Sequence, residues 1–159
     1  MTEPTVRPAH DDDIEQLVEM RREFIFEPAA GIARPGFDDE CRTFLSETIS
    51  SGGWHIWVAE IGGRIVSHAF VALIDKVPHP LRENTRIAYL TNVYTRPDFR
   101  GQGIAAQVIR RAQEAARKAD VELVFVWPND ASFEFYKRVG FEEPNAPLIW
   151  AAERGSLRT

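Results

Sequence analysis

A single cysteine, Cys41, in 159 residues leaves no partner for an internal disulfide and no thiolate cluster for a metal, which argues against redox chemistry and fits a reducing compartment. Its spacing with Phe37, Phe44, Leu45 and Ile49 puts it on the buried face of a helix instead. The four histidines lack the close spacing of a metal site, so no metal is expected; only His79, in a proline-flanked loop, is worth watching. Nor does any apolar run approach the roughly 18 residues that a membrane-spanning helix needs. The opening MTEPTVRPAHDDD has neither a basic nor an apolar signal segment, and the expectation is a soluble cytoplasmic protein. Runs of lysine or arginine are absent too. With a net charge of -5, the surface offers little to nucleic acid or to anionic lipid. The charge leans only weakly toward a cationic partner, because solubility alone accounts for most acidic surfaces.

What is present suits one core: 44% hydrophobic residues in a chain of single-domain length, expected over residues 1–151 with a short tail at 152–159. Thr5 to Pro8 reads as a strand, and Asp11, Asp12 and Asp13 cap a helix carrying Ile14, Leu17 and Val18 and running to about Phe24. A proline- and glycine-bearing loop, Glu27 to Gly36, leads to a second amphipathic helix from Phe37 that Gly52-Gly53 ends. WHIWVAEI and RIVSHAFVAL, joined by Gly62-Gly63, predict an antiparallel hairpin. After an exposed connection from Asp75 to Asn84 come a strand at 86–95, a helix at 104–118 and a strand at 122–127. The last of these, apolar on both faces, reads as covered on both sides. A short helix from about Asp130 to Val139 stops at Gly140, and a last strand is expected at 146–151.

The segment from Asn92 to Ala105 carries the most chemistry, because there a strand enters a glycine-bearing turn that opens directly into a helix. The first amides of a helix lack intrahelical acceptors and carry partial positive charge. Glycines that bring them forward make an anion cradle, to which Arg100 adds a full charge. A triphosphate-binding loop would need Lys-Ser or Lys-Thr after its last glycine, whereas Gly103 precedes Ile104; a dinucleotide fingerprint would need three spaced glycines early in a βαβ unit.

These residues resemble the GNAT superfamily of N-acetyltransferases, whose acyl-CoA pyrophosphate loop follows Q/R-x-x-G-x-G/A. Arg100, Gly103 and Ala105 match it. Asn129, Ser132, Phe135, Tyr136, Gly140 and Phe141 resemble the family's second signature, N-x-x-A-x-x-F/L-Y-x-x-x-G-F, with serine in place of alanine. The order of elements is similar from about Thr5 to Trp150. The resemblance implies an α/β fold with a mixed, mostly antiparallel sheet, helices on both faces, and strands four and five splayed around the pantetheine arm of acetyl-CoA.

It also implies roles. The Val93 amide would bond the thioester oxygen and stabilise the developing oxyanion, and Val93, Tyr94 and Thr95 would offer backbone groups to pantetheine. Arg100 with Gly101, Gln102, Gly103, Ile104 and Ala105 would hold the pyrophosphate. Asn129 and Ser132 would contact the coenzyme or simply cap their helix. Tyr136 would protonate the departing thiolate, its phenol staying protonated at neutral pH. Many relatives carry a strand-four glutamate as base where this chain has Thr91 or Asn92, so the expectation is either that the ammonium proton leaves through water, with Glu27, Asp75 or Glu83 nearby, or that the amine is already partly neutral when desolvated. The expected acceptor is a small-molecule amine, met in a ternary complex. A protein amine comes second, and a non-catalytic acyl-CoA sensor is the rival of another class. Dimers are common among such proteins, though nothing in this sequence marks an interface.

Overall fold

The computed structural model describes residues 3–83 and 86–143, so the strand expected at 146–151 and the tail lie outside the described residues. The chain divides into two compact units, residues 1–126 and 127–159.

The first unit runs β1 (Thr5–Pro8), a 3-10 turn (Asp11–Asp13), α1 (Ile14–Phe26), α2 (Phe37–Ser51), β2 (Trp54–Ile61), β3 (Arg64–Asp75), β4 (Arg86–Thr95), a 3-10 turn (Pro97–Phe99), α3 (Ile104–Lys118) and β5 (Val121–Val126). The five strands form one sheet in the order β1-β2-β3-β4-β5. The first three pairings are antiparallel, and β4 with β5 is parallel, α3 supplying the crossover that a parallel pair requires.

Helices cover both faces. Residues 65–71 of β3 are buried without a break, where a half-exposed strand would alternate. On one face Leu17, Val18 and Met20 of α1 and Leu45 of α2 pack with Ile56, Val58, Phe70 and Tyr94. On the other α3, which packs against β2, β3, β4 and β5, buries Ile104, Val108, Ile109, Ala112 and Ala116, a stripe at helical spacing.

At the start of α1 Asp13 accepts two hydrogen bonds from Arg7 (2.7 and 2.9 Å) and one from the His10 amide (2.9 Å), while Arg7 also reaches Glu60. Burial acts to raise the Asp13 pKa, but Arg7 and the His10 amide more than offset it, leaving the carboxyl below its ordinary value.

The bounds of the hairpin, β4 and α3 follow the sequence expectation closely. β5 departs from it: among the described residues it pairs with β4 alone, and Leu123 is 47% exposed, where an apolar strand covered on both faces was expected. The segment predicted to follow as another strand lies outside the described residues.

The described part of the second unit is a turn and one short helix, α4 (Phe133–Arg138). The Asn129 side chain accepts from the Ser132 amide (2.9 Å), and the Ser132 hydroxyl accepts from the Asn129 amide (3.1 Å). The two residues thus lock the turn that leads into α4, while Ser132, its N-cap, makes no side-chain cap hydrogen bond to the helix.

Candidate active site

β4 has one residue too many. Thr91 faces Phe70 and Tyr94 faces His68, so Asn92 and Val93 together stand opposite Ala69. Asn92 absorbs the extra residue by taking a left-handed backbone, φ 48°, a conformation that costs most residues about 1–2 kcal/mol and asparagine less. Pairing with β5 ends at Leu90 and Val126, whereas β4 continues to Thr95. The stretch from Thr91 to Thr95 therefore runs past the last β4–β5 pair, with its ladder to β3 broken at Asn92 and Val93. That is the splay expected between strands four and five.

The extra residue is tied down from two directions. His68, fully buried on β3, places Nδ1 2.8 Å from the Asn92 carbonyl oxygen. A carbonyl can only accept, so Nδ1 carries the hydrogen. Burial drives the His68 pKa down to about 4, so the ring is neutral and Nε2 is a bare acceptor, with no hydrogen-bond partner among the described residues. From α1, Arg21 Nη1 donates to the Asn92 side-chain oxygen at 2.9 Å. Beyond the bulge, the Ser67 hydroxyl donates to the Tyr94 carbonyl (3.1 Å) and lies 2.7 Å from the Thr95 hydroxyl, which must therefore be the donor to Ser67.

The chain then makes its 3-10 turn and enters α3 through Gly101 and Gly103, at φ 74° and 76°. A Cβ on either would meet nothing within 4 Å, so the left-handed backbone, not crowding, is what calls for glycine. Gly103 caps α3 without any side-chain hydrogen bond, so its own position places no side chain over the first amides, among them those of Ile104 and Ala105. Gln102 turns back to donate to the Asp98 carbonyl.

Arg100 Nε donates to the Thr95 carbonyl (2.8 Å), and its two terminal nitrogens take both oxygens of Glu27 at 2.6 Å. Arg100 foremost holds the Glu27 carboxyl below its ordinary pKa, the wrong direction for a proton acceptor. Burial first, then Glu23 and Glu27, push the Tyr94 phenol up to about 12.

A cleft of about 350 Å³ opens here, lined by Glu23, Phe26, Glu27, Tyr94, Arg96 and Asp98 among others. Arg96 is nearly buried. It donates to Glu19 (2.8 Å), and its Nε lies 3.2 Å from Glu23, close enough for charge attraction but without hydrogen-bond alignment. Burial raises the Glu23 pKa despite Arg96.

A family model described as an acetyltransferase (GNAT) domain matches residues 52–143. The chain belongs to the GNAT family. A curated relative, the uncharacterized N-acetyltransferase MJ1207 of Methanocaldococcus jannaschii, is 38% identical over 71 residues, which are 43% of this chain and 31% of that protein. The chain thus spans about a third of the length of the curated relative it matches. A predicted acetyltransferase from Clostridium acetobutylicum, solved with acetyl-CoA, superposes with a TM-score of 0.77 at 26% identity, covering 93% of this chain and 96% of that one. A GCN5-related N-acetyltransferase from Ralstonia eutropha JMP134 gives 0.72 at 25% identity, covering 94% and 99%.

Within this GNAT fold the structure brings Thr91, Asn92, Val93, Tyr94, Thr95, Arg100 and the glycine loop into one continuous run, with Glu27 added from the end of α1. It does not bring Asp75 or Glu83 there. Asp75 pairs with Arg86 at the opposite end of β4, about 23 Å along the strand from Val93, and Glu83 is exposed in the connection just before β4. Tyr136 lies on α4 of the second unit, its ring 5.3 Å from that of Phe135 and 5.6 Å from that of Phe141. Sequence reasoning missed Arg21, Glu23, His68 and Arg96. One signal was available: Arg21 falls at an apolar-spaced position of α1, where a charge is out of place.

Proposed function

We propose that the chain transfers an acetyl group from acetyl-CoA to a primary amine, first of all that of a small molecule, by direct attack in a ternary complex. The bulge at Asn92 and Val93, continuous with the glycine loop and the start of α3, carries this reading. It leaves backbone groups out of the ladder beside an anion cradle, the two features that a thioester joined to a pyrophosphate calls for.

Arg100 and the amides of residues 101–105 bind the pyrophosphate. The backbone of Val93, Tyr94 and Thr95 lines the pantetheine arm. The amine nitrogen attacks the thioester carbon, and the Val93 amide stabilises the charge that gathers on the carbonyl oxygen, an effect commonly worth about 3 kcal/mol. Collapse then breaks the carbon–sulfur bond and expels the thiolate. Tyr136 is the proton donor to that thiolate, on the strength of its place in the second family signature alone. The ammonium proton leaves through water toward the α1 carboxylates, of which Glu23, its pKa raised by burial, is better suited than Glu27.

Thiol release from acetyl-CoA across a panel of amino acids, polyamines, aminoglycosides and peptides, with calorimetric binding in parallel, tests the proposal. Release with one amine class establishes transfer and names the acceptor. Binding without release from any of them turns the reading toward the sensor, and no binding of acetyl-CoA refutes it.

A further inference from the structure

Asn92 is held by two side chains whose own positions packing does not explain. His68 is fully buried and leaves Nε2 without a partner among the described residues. A leucine there would fill similar space with no desolvated nitrogen, so the hydrogen bond to the Asn92 carbonyl is what calls for histidine. Arg21 is half-buried, and desolvation lowers its pKa. None of the ion pairs among the described residues involves it, so attraction to a carboxylate does not account for its place. Its guanidinium lies 5.7 Å from the Phe24 ring and donates to the Asn92 side chain. The two contacts come from different elements, β3 and α1, and grip different ends of one residue, the main-chain carbonyl and the side-chain amide. A left-handed asparagine within a strand persists when its surroundings over-determine it, and this pair does so.

We propose that His68 and Arg21 are positioning residues that hold the β4 bulge so that the Val93 amide faces the reacting carbonyl, an inference that rests on the acetyl-transfer reading above. Neither touches the reacting atoms. They fix the peptide between Asn92 and Val93 from its carbonyl side, and the amide at the other end of that peptide is the one assigned to the oxyanion.

Amide-resolved NMR of the full chain tests this in the wild type and in H68L, H68N and R21M, each free, with CoA and with acetyl-CoA. In the wild type the Val93 amide proton should shift between the CoA and acetyl-CoA complexes, which differ only in the acetyl group. H68L should lose most of that difference, and its Asn92 backbone shifts should leave the left-handed range. Its coenzyme Kd should change by less than about 3-fold, while acetyl transfer slows about 10- to 100-fold in kcat with little change in KM. H68N, which restores an N–H near the place of Nδ1, should recover the Val93 difference. Asn92 shifts and a Val93 difference that persist in H68L overturn the proposal, as does an H68N that behaves like H68L. Should H68L not fold, R21M decides by the same readouts. Failure of the wild type to bind acetyl-CoA sinks the acetyl-transfer reading, while the coenzyme-free Asn92 shifts still decide whether the two residues hold the bulge.

Discussion

Replacing Glu27 by glutamine should tighten coenzyme binding. In the structure Arg100, the cation of the proposed pyrophosphate cradle, has both terminal nitrogens on Glu27. To serve a phosphate it must share or exchange that carboxylate. The side chains of Arg100 and Glu27 are 45% and 37% exposed, so the pair has the worth of a surface ion pair, about 0.2–1 kcal/mol, rather than that of a buried one. A carboxylate left some 6 Å from a phosphate charge would add a repulsion of about 0.7 kcal/mol in water. Together these give about 1 kcal/mol, a gain of about 5-fold in affinity for E27Q. Calorimetry of CoA binding to wild type and E27Q in dilute buffer measures it. In about 1 M salt, where screening acts within about 3 Å, the gain should fall below 2-fold. Equal or weaker binding by E27Q in dilute buffer would refute the reasoning, and with it the assignment of Arg100 to the pyrophosphate.

Tyr136→Phe should lower turnover by about 100-fold or more, as loss of a general acid does, while acetyl-CoA affinity by calorimetry stays within error; an unchanged rate across pH removes the acid role. Asp13→Asn removes one charge of a buried pair. Because Arg7 keeps Glu60, the expected cost is about 2–3 kcal/mol, seen as a drop of about 5–10 °C in Tm. The pH dependence has a definite sign. The Asp13 pKa is lower folded than unfolded, so its stabilisation is present above the unfolded value near 3.9 and is lost as pH falls through the folded one. The Tm gap between wild type and D13N should therefore hold from pH 7 to about 5 and narrow progressively as pH falls below about 4; a gap that does not narrow between about pH 5 and about pH 2 contradicts this account.

Local pattern announced most of the elements. Gly62-Gly63 between two apolar runs set the hairpin, and Ile104, Val108, Ile109 and Ala112 at helical spacing set α3. The loop from Arg100 to Gly103 was legible because its chemistry lies within four consecutive residues. The contacts that complete the candidate site are long-range, and no local period encodes them: Arg21 to Asn92 spans 71 positions, Arg100 to Glu27 spans 73, and His68 to Asn92 spans 24. His68 read as an ordinary hairpin residue because its role depends on a bulge in the neighbouring strand. Glu27 was noted for proton transfer, yet only the path of α1 reveals that it faces Arg100. The expected covering of β5 rested on composition alone, which does not say how many neighbours a strand has.

The bulge also bears on how such a site is gained or lost. The β3 partners of Thr91 and Tyr94, Phe70 and His68, are two residues apart, which is the spacing a regular ladder would give if Asn92 were absent. Loss of that single codon would leave every other β3–β4 pair in register and return Val93 to the place opposite Ala69, while removing the group that His68 and Arg21 hold. On the acetyl-transfer reading proposed above, a single inserted residue separates a plain strand from a reactive one.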